Sequence, residues 1–290
     1  MLRVHCRPQW SLKPALLNSR RLSSAFFTSK LPVECFRAPS ISSHLNLSRW
    51  YDSKNRALSR TRSRTGTHRE HPSSDPKRGT SWLDKIPHNV IVYGILGING
   101  AVYLAWQYAE SRRSVGDPSL SIFLSKNLLM AWGNIQQGRI WTVLTSSFSH
   151  STAGHIFMNA FTFYFMAPPV IRFLGNASFL RLYLGGGIIG SIVSLLANKS
   201  VRERGGASHG ASAAIYSVVT FFACAAPTTT FYFFGVLPVP AWMLVSGLFV
   251  WDGLSTLSDR RTRTDGAGHV GGMLAGAAYF FMKSRGVRGL

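Results

Sequence analysis

The stretch GGASHGASAAIYSVVTFFACAA, residues 205–226, decides the fold. Its opening, Gly206–Gly210, fits the Gly-x-Ser-x-Gly turn that exposes a nucleophilic serine between a strand and a helix. That reading selects Ser208 and requires a strand before the turn and a parallel sheet around it. What precedes is an apolar run ending near Ala197, followed by the polar NKSVRERGG. The context fails. The second reading starts a helix near Gly210 and carries it to Ala226, with Ser212 at its entry and Ala211, Ala213 and Ala214 beside it. An apolar run of nearly spanning length points to a helix in a bilayer, where about 20 such residues cross the hydrocarbon.

The rest of the chain follows the second reading. Apolar runs lie at about 89–106, 151–171, 177–197, 210–226, 241–256 and 267–282. In lipid every backbone polar group needs an internal partner, so these runs are read as helices. Pro168–Pro169 mark the far end of the second. Residues 110–149 are too polar to span but rich in Leu, Phe and Trp, and read as a membrane-surface loop with short interfacial helices. TTTFYFFGVLPVP leads into the fifth run. Gly185–Gly187, Gly271, Gly272 and Gly276 let helices approach closely. The expected fold is an all-α membrane protein, a bundle of six transmembrane helices with an interfacial loop between spans 1 and 2.

Charge is segregated from this apolar part. The 290 residues are 46% hydrophobic yet carry a net charge of +21. Residues 1–80 hold 16 Lys/Arg against 4 Asp/Glu, and residues 81–290 hold 16 against 7. A basic tail is either a nucleic-acid arm or a targeting segment. The first 30 residues contain no acid, the first being Glu34, and Leu16, Leu17, Leu22, Phe26 and Phe27 surround Arg20 and Arg21. Pro8 and Pro14 confine any helix to the part after them. That composition is of the mitochondrial import type, and a nucleic-acid arm before several membrane spans has no rationale. The absence of an apolar h-region argues against a secretory signal. SRWYDS, of the Arg-x-Tyr type, puts a processing cut near Tyr51. Three parts follow: a presequence at 1–51, a Ser/Arg/Thr/Pro-rich disordered linker at 52–84, and the membrane domain at 85–290. Of the cysteines, Cys6 and Cys35 fall in the presequence and Cys224 in an apolar run. No disulfide framework or Cys metal site is expected.

Polar residues inside spans are costly, and each is a functional candidate. His155 and Asn159 lie four apart on one helix face, and His150 stands at the mouth of their span. Ser212 opens span 4 and His269 opens span 6. If span 1 runs from side A to side B, spans 2, 4 and 6 all begin at side B. All these residues then share one half of the membrane. Singly, each has a bland reading: a helix-packing pair, a serine bonded back to its own helix, a histidine at a loop edge. Their convergence favours a site. A serine hydroxyl becomes a nucleophile when a neutral histidine takes its proton, and acyl transfer needs donors for an oxyanion. Ser212 with His269 makes a dyad; His155, Asn159 and a backbone N–H supply donors. No carboxylate is placed to complete a triad: Asp252 and Asp265 are both on side B, but neither has a reason to face His269.

HSTAGHIFMN, GASHGASAA and GHVGGMLAG, in this order, resemble three motifs of the rhomboid family of intramembrane proteases. LPVPAW and the region of Asn99 are similar too, and the resemblance covers about residues 85–283. It implies Ser212 as nucleophile, His269 as general base, and Asn159, His155 and the Ser212 N–H as oxyanion hole. It also implies support from His150 and close packing at Gly210, Gly272 and Gly276. Such proteases cut transmembrane helices at helix-destabilising residues, with neither metal nor cofactor. Mitochondrial members process inner-membrane-anchored proteins, including a dynamin-related GTPase.

The chain departs from the pattern at three places. Ala213 stands where the family has Gly, and its methyl threatens the oxyanion hole or the contact between spans 4 and 6. Trp141-Thr142 replaces Trp-Arg, with Arg139 nearby serving folding rather than chemistry. The tail contains no spanning run, so six spans are expected rather than seven. The reading is a multi-pass mitochondrial inner-membrane serine endopeptidase whose partners are transmembrane-helix substrates and lipids. A rhomboid-like pseudoprotease that binds helices without cutting them is the second reading. A transporter or assembly factor using the same polar cluster is the third.

Overall fold

The computed structural model describes residues 81–197, 205–233, 236–257 and 264–286. The presequence and all but the end of the linker lie outside these residues, as do Lys199, Arg202, Arg204, Arg260, Arg261 and Arg263. The described part is mostly helical. Its α-helices are α1 (His88–Ser114), α2 (Ser119–Leu128), α3 (Trp132–Gln136), α4 (Thr142–Thr145), α5 (Ala153–Leu174), α6 (Asn176–Ala197), α7 (Ser212–Ala225), α8 (Ala241–Leu257) and α9 (Gly266–Ser284). Six of them, α1 and α5–α9, coincide with the six apolar runs. By length and composition alone, α1 and α6 are long and apolar enough to cross a membrane; α7 and α8 are apolar but shorter.

The helix ends have local causes. The Thr152 hydroxyl accepts from the His155 N–H and caps α5. Asp265 does the same for α9, accepting from the Gly268 N–H at 3.1 Å. Pro168–Pro169 do not end their helix: α5 carries both inside it and runs on to Leu174. A proline removes one backbone donor and bends a helix, but in a bundle neighbouring groups absorb the loss, so the helix continues. The stop falls instead at Gly175, whose φ of +81° suits a residue without Cβ.

Two small antiparallel ladders modify the all-helical expectation. Met130–Ala131 (β1) pairs with Ala207–Ser208 (β2), and Thr230–Phe233 (β3) pairs with Leu237–Pro240 (β4). The second is a hairpin within TTTFYFFGVLPVP, whose β-branched and aromatic residues suit a strand. The linker also ends earlier than expected. Trp82–Lys85 forms a 3-10 turn, fastened where the Leu83 and Ile86 carbonyls accept from Asn176 Nδ2.

The core is α6, α7 and α9, and small residues make it possible. A Cβ on Gly272 would lie 2.1 Å from the Ala213 carbonyl oxygen, and one on Gly276 would lie 2.2 Å from that of Ser217. The backbones of α7 and α9 therefore touch at two successive turns. Gly186 and Gly187 also face α7 or its surroundings, whereas Gly185 opens onto empty space and makes no helix contact. Around this core, α5 packs on α7 and α1 on α5, while α8 lies at the flank.

Candidate active site

The starts of α5, α7 and α9 meet at one end of the bundle. Ser212 is the first residue of α7, so its N–H has no partner within the helix. The Ser212 hydroxyl lies 2.8 Å from His269 Nε2. The bare approach of α9 to α7 at Gly272 brings the His269 ring this close. Tyr216, one turn after Ser212 on the same face, stacks flat on that ring with centroids 4.4 Å apart and planes 11° apart. His269 is buried and Ser212 is half-buried. A small cavity beside the serine is lined by Ser146, Ser208, Gly210, Ser212, Asp265 and His269, among others.

The proposed oxyanion donors sit on α5. Asn159 is buried, and its Nδ2 donates one hydrogen to the His155 carbonyl at 2.9 Å. The amide keeps a second hydrogen, because an NH2 has two to give. The His155 ring packs against Gly210, where a Cβ would come within 2.7 Å of Cε1. Gly210 has φ +125°, so it is required twice over, by backbone conformation and by space. Its contact is with a ring, not a neighbouring helix. The Gly210 N–H donates to the Ser146 carbonyl at 2.9 Å, holding the loop before Ser212.

His150 lies fully buried beneath this loop and accepts from the Ala211 N–H at 3.4 Å through Nε2. Its ring meets that of His155 edge-on at 5.0 Å, and the His209 ring lies 6.1 Å from His155. Burial, with His155 and His209 nearby, pushes the His150 imidazole down to about 4. Burial and His155 likewise push His209 down to about 4, against the pull of Asp265. Both rings are therefore neutral at neutral pH.

Ser208 is occupied elsewhere. It belongs to β2, and its hydroxyl donates to Asp265, which also accepts from Ser194. Asp265 thus ties the 207–208 ladder and α6 to the cap of α9. Asp252 overturns the expectation that no carboxylate faces His269. Its Oδ2 lies 3.1 Å from His269 Nδ1, and the residue is only 3% exposed. The cause is the packing of α8 on α9, which the sequence alone does not define. The remaining signal in the sequence was that Asp252 is the single acid within an apolar run. Tyr216 was also missed, although its place four residues after Ser212 puts it on the same face.

The rhomboid domain family matches residues 137–286, half of the chain. The chain is 31% identical over 200 residues to Rhomboid protein 1, mitochondrial, of Saccharomyces cerevisiae, covering 68% of this chain and 54% of that protein. It is 27% identical over 210 residues to RHOMBOID-like protein 12, mitochondrial, of Arabidopsis thaliana, covering 68% and 59%. The chain belongs to the rhomboid family. A further relative, presenilin-associated rhomboid-like protein A, mitochondrial, of Danio rerio, is 28% identical over 193 residues, covering 65% and 46%. This rhomboid therefore spans about half the length of the curated relatives it matches. Those relatives indicate a mitochondrial membrane protein.

Two rhomboid departures have structural outcomes. The Ala213 methyl is directed at Gly190 of α6, where a Cβ would lie 2.5 Å from it. The space for this methyl comes from a glycine on a third helix. Arg139 donates from Nη1 to Asn134 Oδ1 at 3.1 Å, and Asn134 in turn donates to the Ser125 and Leu129 carbonyls. Arg139 thereby braces the segment between α1 and α5, away from the Ser212–His269 contact.

Proposed function

We propose that this rhomboid is an intramembrane serine endopeptidase of the mitochondrial inner membrane, built on six spans, that cleaves transmembrane segments of other proteins. The observation that carries the reading is the 2.8 Å contact between the Ser212 hydroxyl and His269 Nε2. At that distance the imidazole takes the hydroxyl proton as Oγ attacks a peptide carbonyl. The tetrahedral oxyanion forms beside the start of α7, and this reading assigns it the Ser212 N–H, the second Asn159 hydrogen and the His155 ring as donors. His269 then gives its proton to the leaving amine. A water entering from the side of the helix starts attacks the acyl-serine as His269 takes its proton; the bond from carbonyl carbon to Oγ then breaks and His269 returns the proton to Ser212. Bond breaking needs an unwound peptide, so helix-destabilising residues mark the cut. The reading calls for neither metal nor cofactor.

Substrates are single-span inner-membrane proteins, a membrane-anchored dynamin-related GTPase among the candidates. With the tail entering the matrix, Ser212 opens toward the intermembrane space; protease protection of the 199–205 loop reports this orientation. The pseudoprotease reading rested on Ala213 crowding the site, and the Gly190 space on the far side of that methyl favours the protease instead. The test is cleavage of a single-span reporter by purified full-length protein in liposomes. Ser212→Ala abolishes cleavage to background and Ser208→Ala retains it. A folded wild type that cuts none of several helix-destabilised reporters moves the assignment to the pseudoprotease.

A further inference from the structure

We propose that Asp252 is a positioning residue for His269, converting the serine–histidine pair into a serine–histidine–aspartate array. The proposal rests on the protease reading. Its first support is geometry: His269 bridges Ser212 through Nε2 at 2.8 Å and Asp252 through Nδ1 at 3.1 Å.

The second support is the tautomer this contact imposes. A bare Nδ1 would set its lone pair against carboxylate lone pairs, so Nδ1 carries hydrogen and donates it. In the neutral ring Nε2 is then bare, and it is the nitrogen turned to the serine. The form needed for a general base is the one the carboxylate selects. When His269 takes the serine proton, the imidazolium stands against an anion already in place, with no rearrangement at the moment of reaction.

The third support is cost. Only Ala241 and Asp252 are buried on α8. A carboxylate within an apolar helix is costly unless it is paired. The second nearby acid, Asp265, is committed to the Gly268 N–H and to the Ser194 and Ser208 hydroxyls. Tyr216 also faces His269, stacked flat on its ring. The stack restrains tilting of the ring, and Asp252 fixes its rotation.

The experiment uses full-length protein in liposomes, with kcat and KM for the single-span reporter, the melting temperature, and 15N spectra of labelled imidazoles. The His269 signal is assigned by its loss in His269→Asn. Asp252→Asn is near-isosteric and is expected to lower kcat by at least about 10²-fold, by analogy with other triads, with KM within about twofold and melting unchanged. The Nδ1-protonated signature of His269 is lost or mixed in that variant. Asp252→Glu retains the charge and is expected to recover activity to within about tenfold of wild type. An unchanged kcat, or an unchanged Nδ1 signature in Asp252→Asn, overturns the proposal. So does a fall in kcat matched by loss of folded protein in both variants. If the wild type shows no Ser212-dependent cleavage, the protease reading fails separately, and the Nδ1 signature still decides what Asp252 does.

Discussion

Helices α7 and α9 touch backbone to backbone along two turns, whereas α8 approaches the backbone of α9 at its first residue, where a Cβ on Gly266 would lie 2.6 Å from the Asp252 carbonyl oxygen. At Gly272 and Gly276 no room exists even for a methyl. On α8, Trp242, Phe249, Val250, Trp251, Leu254 and Leu257 are all exposed to the surroundings. The contrast separates two tasks. The nucleophile and base sit on the close pair, whose geometry is set by van der Waals contact along two turns. Asp252 sits on the flanking helix, so its placement relative to His269 depends on how α8 rests against Gly266 at the start of α9. Rigidity is thus supplied where sub-ångström distance matters for proton transfer, and the third group is held by charge and hydrogen bond.

Three substitutions bear on this contrast, in falling order of effect. Gly272→Ala places a methyl 2.1 Å from the Ala213 carbonyl oxygen, which no rotamer change can relieve. It is expected to cost about 3 kcal/mol and to disrupt the Ser212–His269 distance, read as a lower melting temperature together with lost labelling of Ser212 by a fluorophosphonate. Tolerance of this change would erase the distinction between the two helix contacts. Gly190→Ala is next, at about 2 kcal/mol, because its methyl meets both the Ala213 methyl and the Gly268 carbonyl. Adding Ala213→Gly removes the first clash and leaves the second, so the double variant recovers part of the loss in the same melting assay. No recovery would mean that the two methyls do not compete for one space. Trp251→Ala is the smallest. Trp251 is 73% exposed, and its loss is expected to change stability by no more than about 0.5 kcal/mol. A large drop there would show that α8 is held by more than its buried face.

The apolar runs were legible because composition and length mark apolar helices, but the prolines misplaced one end, since α5 carries Pro168–Pro169 inside it and stops at Leu174. Five of the six runs match α5–α9 within a few residues, and the first matches the start of α1, which runs eight residues past it to Ser114. The meeting of Ser212 and His269 was legible through parity, since helices that begin on one side present their first turns together. Parity fixes the side but not the rotation of each helix about its axis. Asp252 was therefore seen on the correct side and still not turned toward His269. Gly190 was illegible for a similar reason: its role depends on which methyl of another helix points at it. The β3–β4 hairpin was hidden inside an apolar, proline-bearing stretch, where strand and membrane-surface signals coincide.

At the other end of the bundle, Asn176 bonds to Leu83, Ile86 and His88 while Asp84 receives the Ala177 N–H. Mechanically this is a rivet between the foot of α1 and the foot of α6. Sliding one helix past the other by a single turn, about 5 Å, would shear every one of these bonds at once. Vertical creep between α1 and α6 is locked at that end.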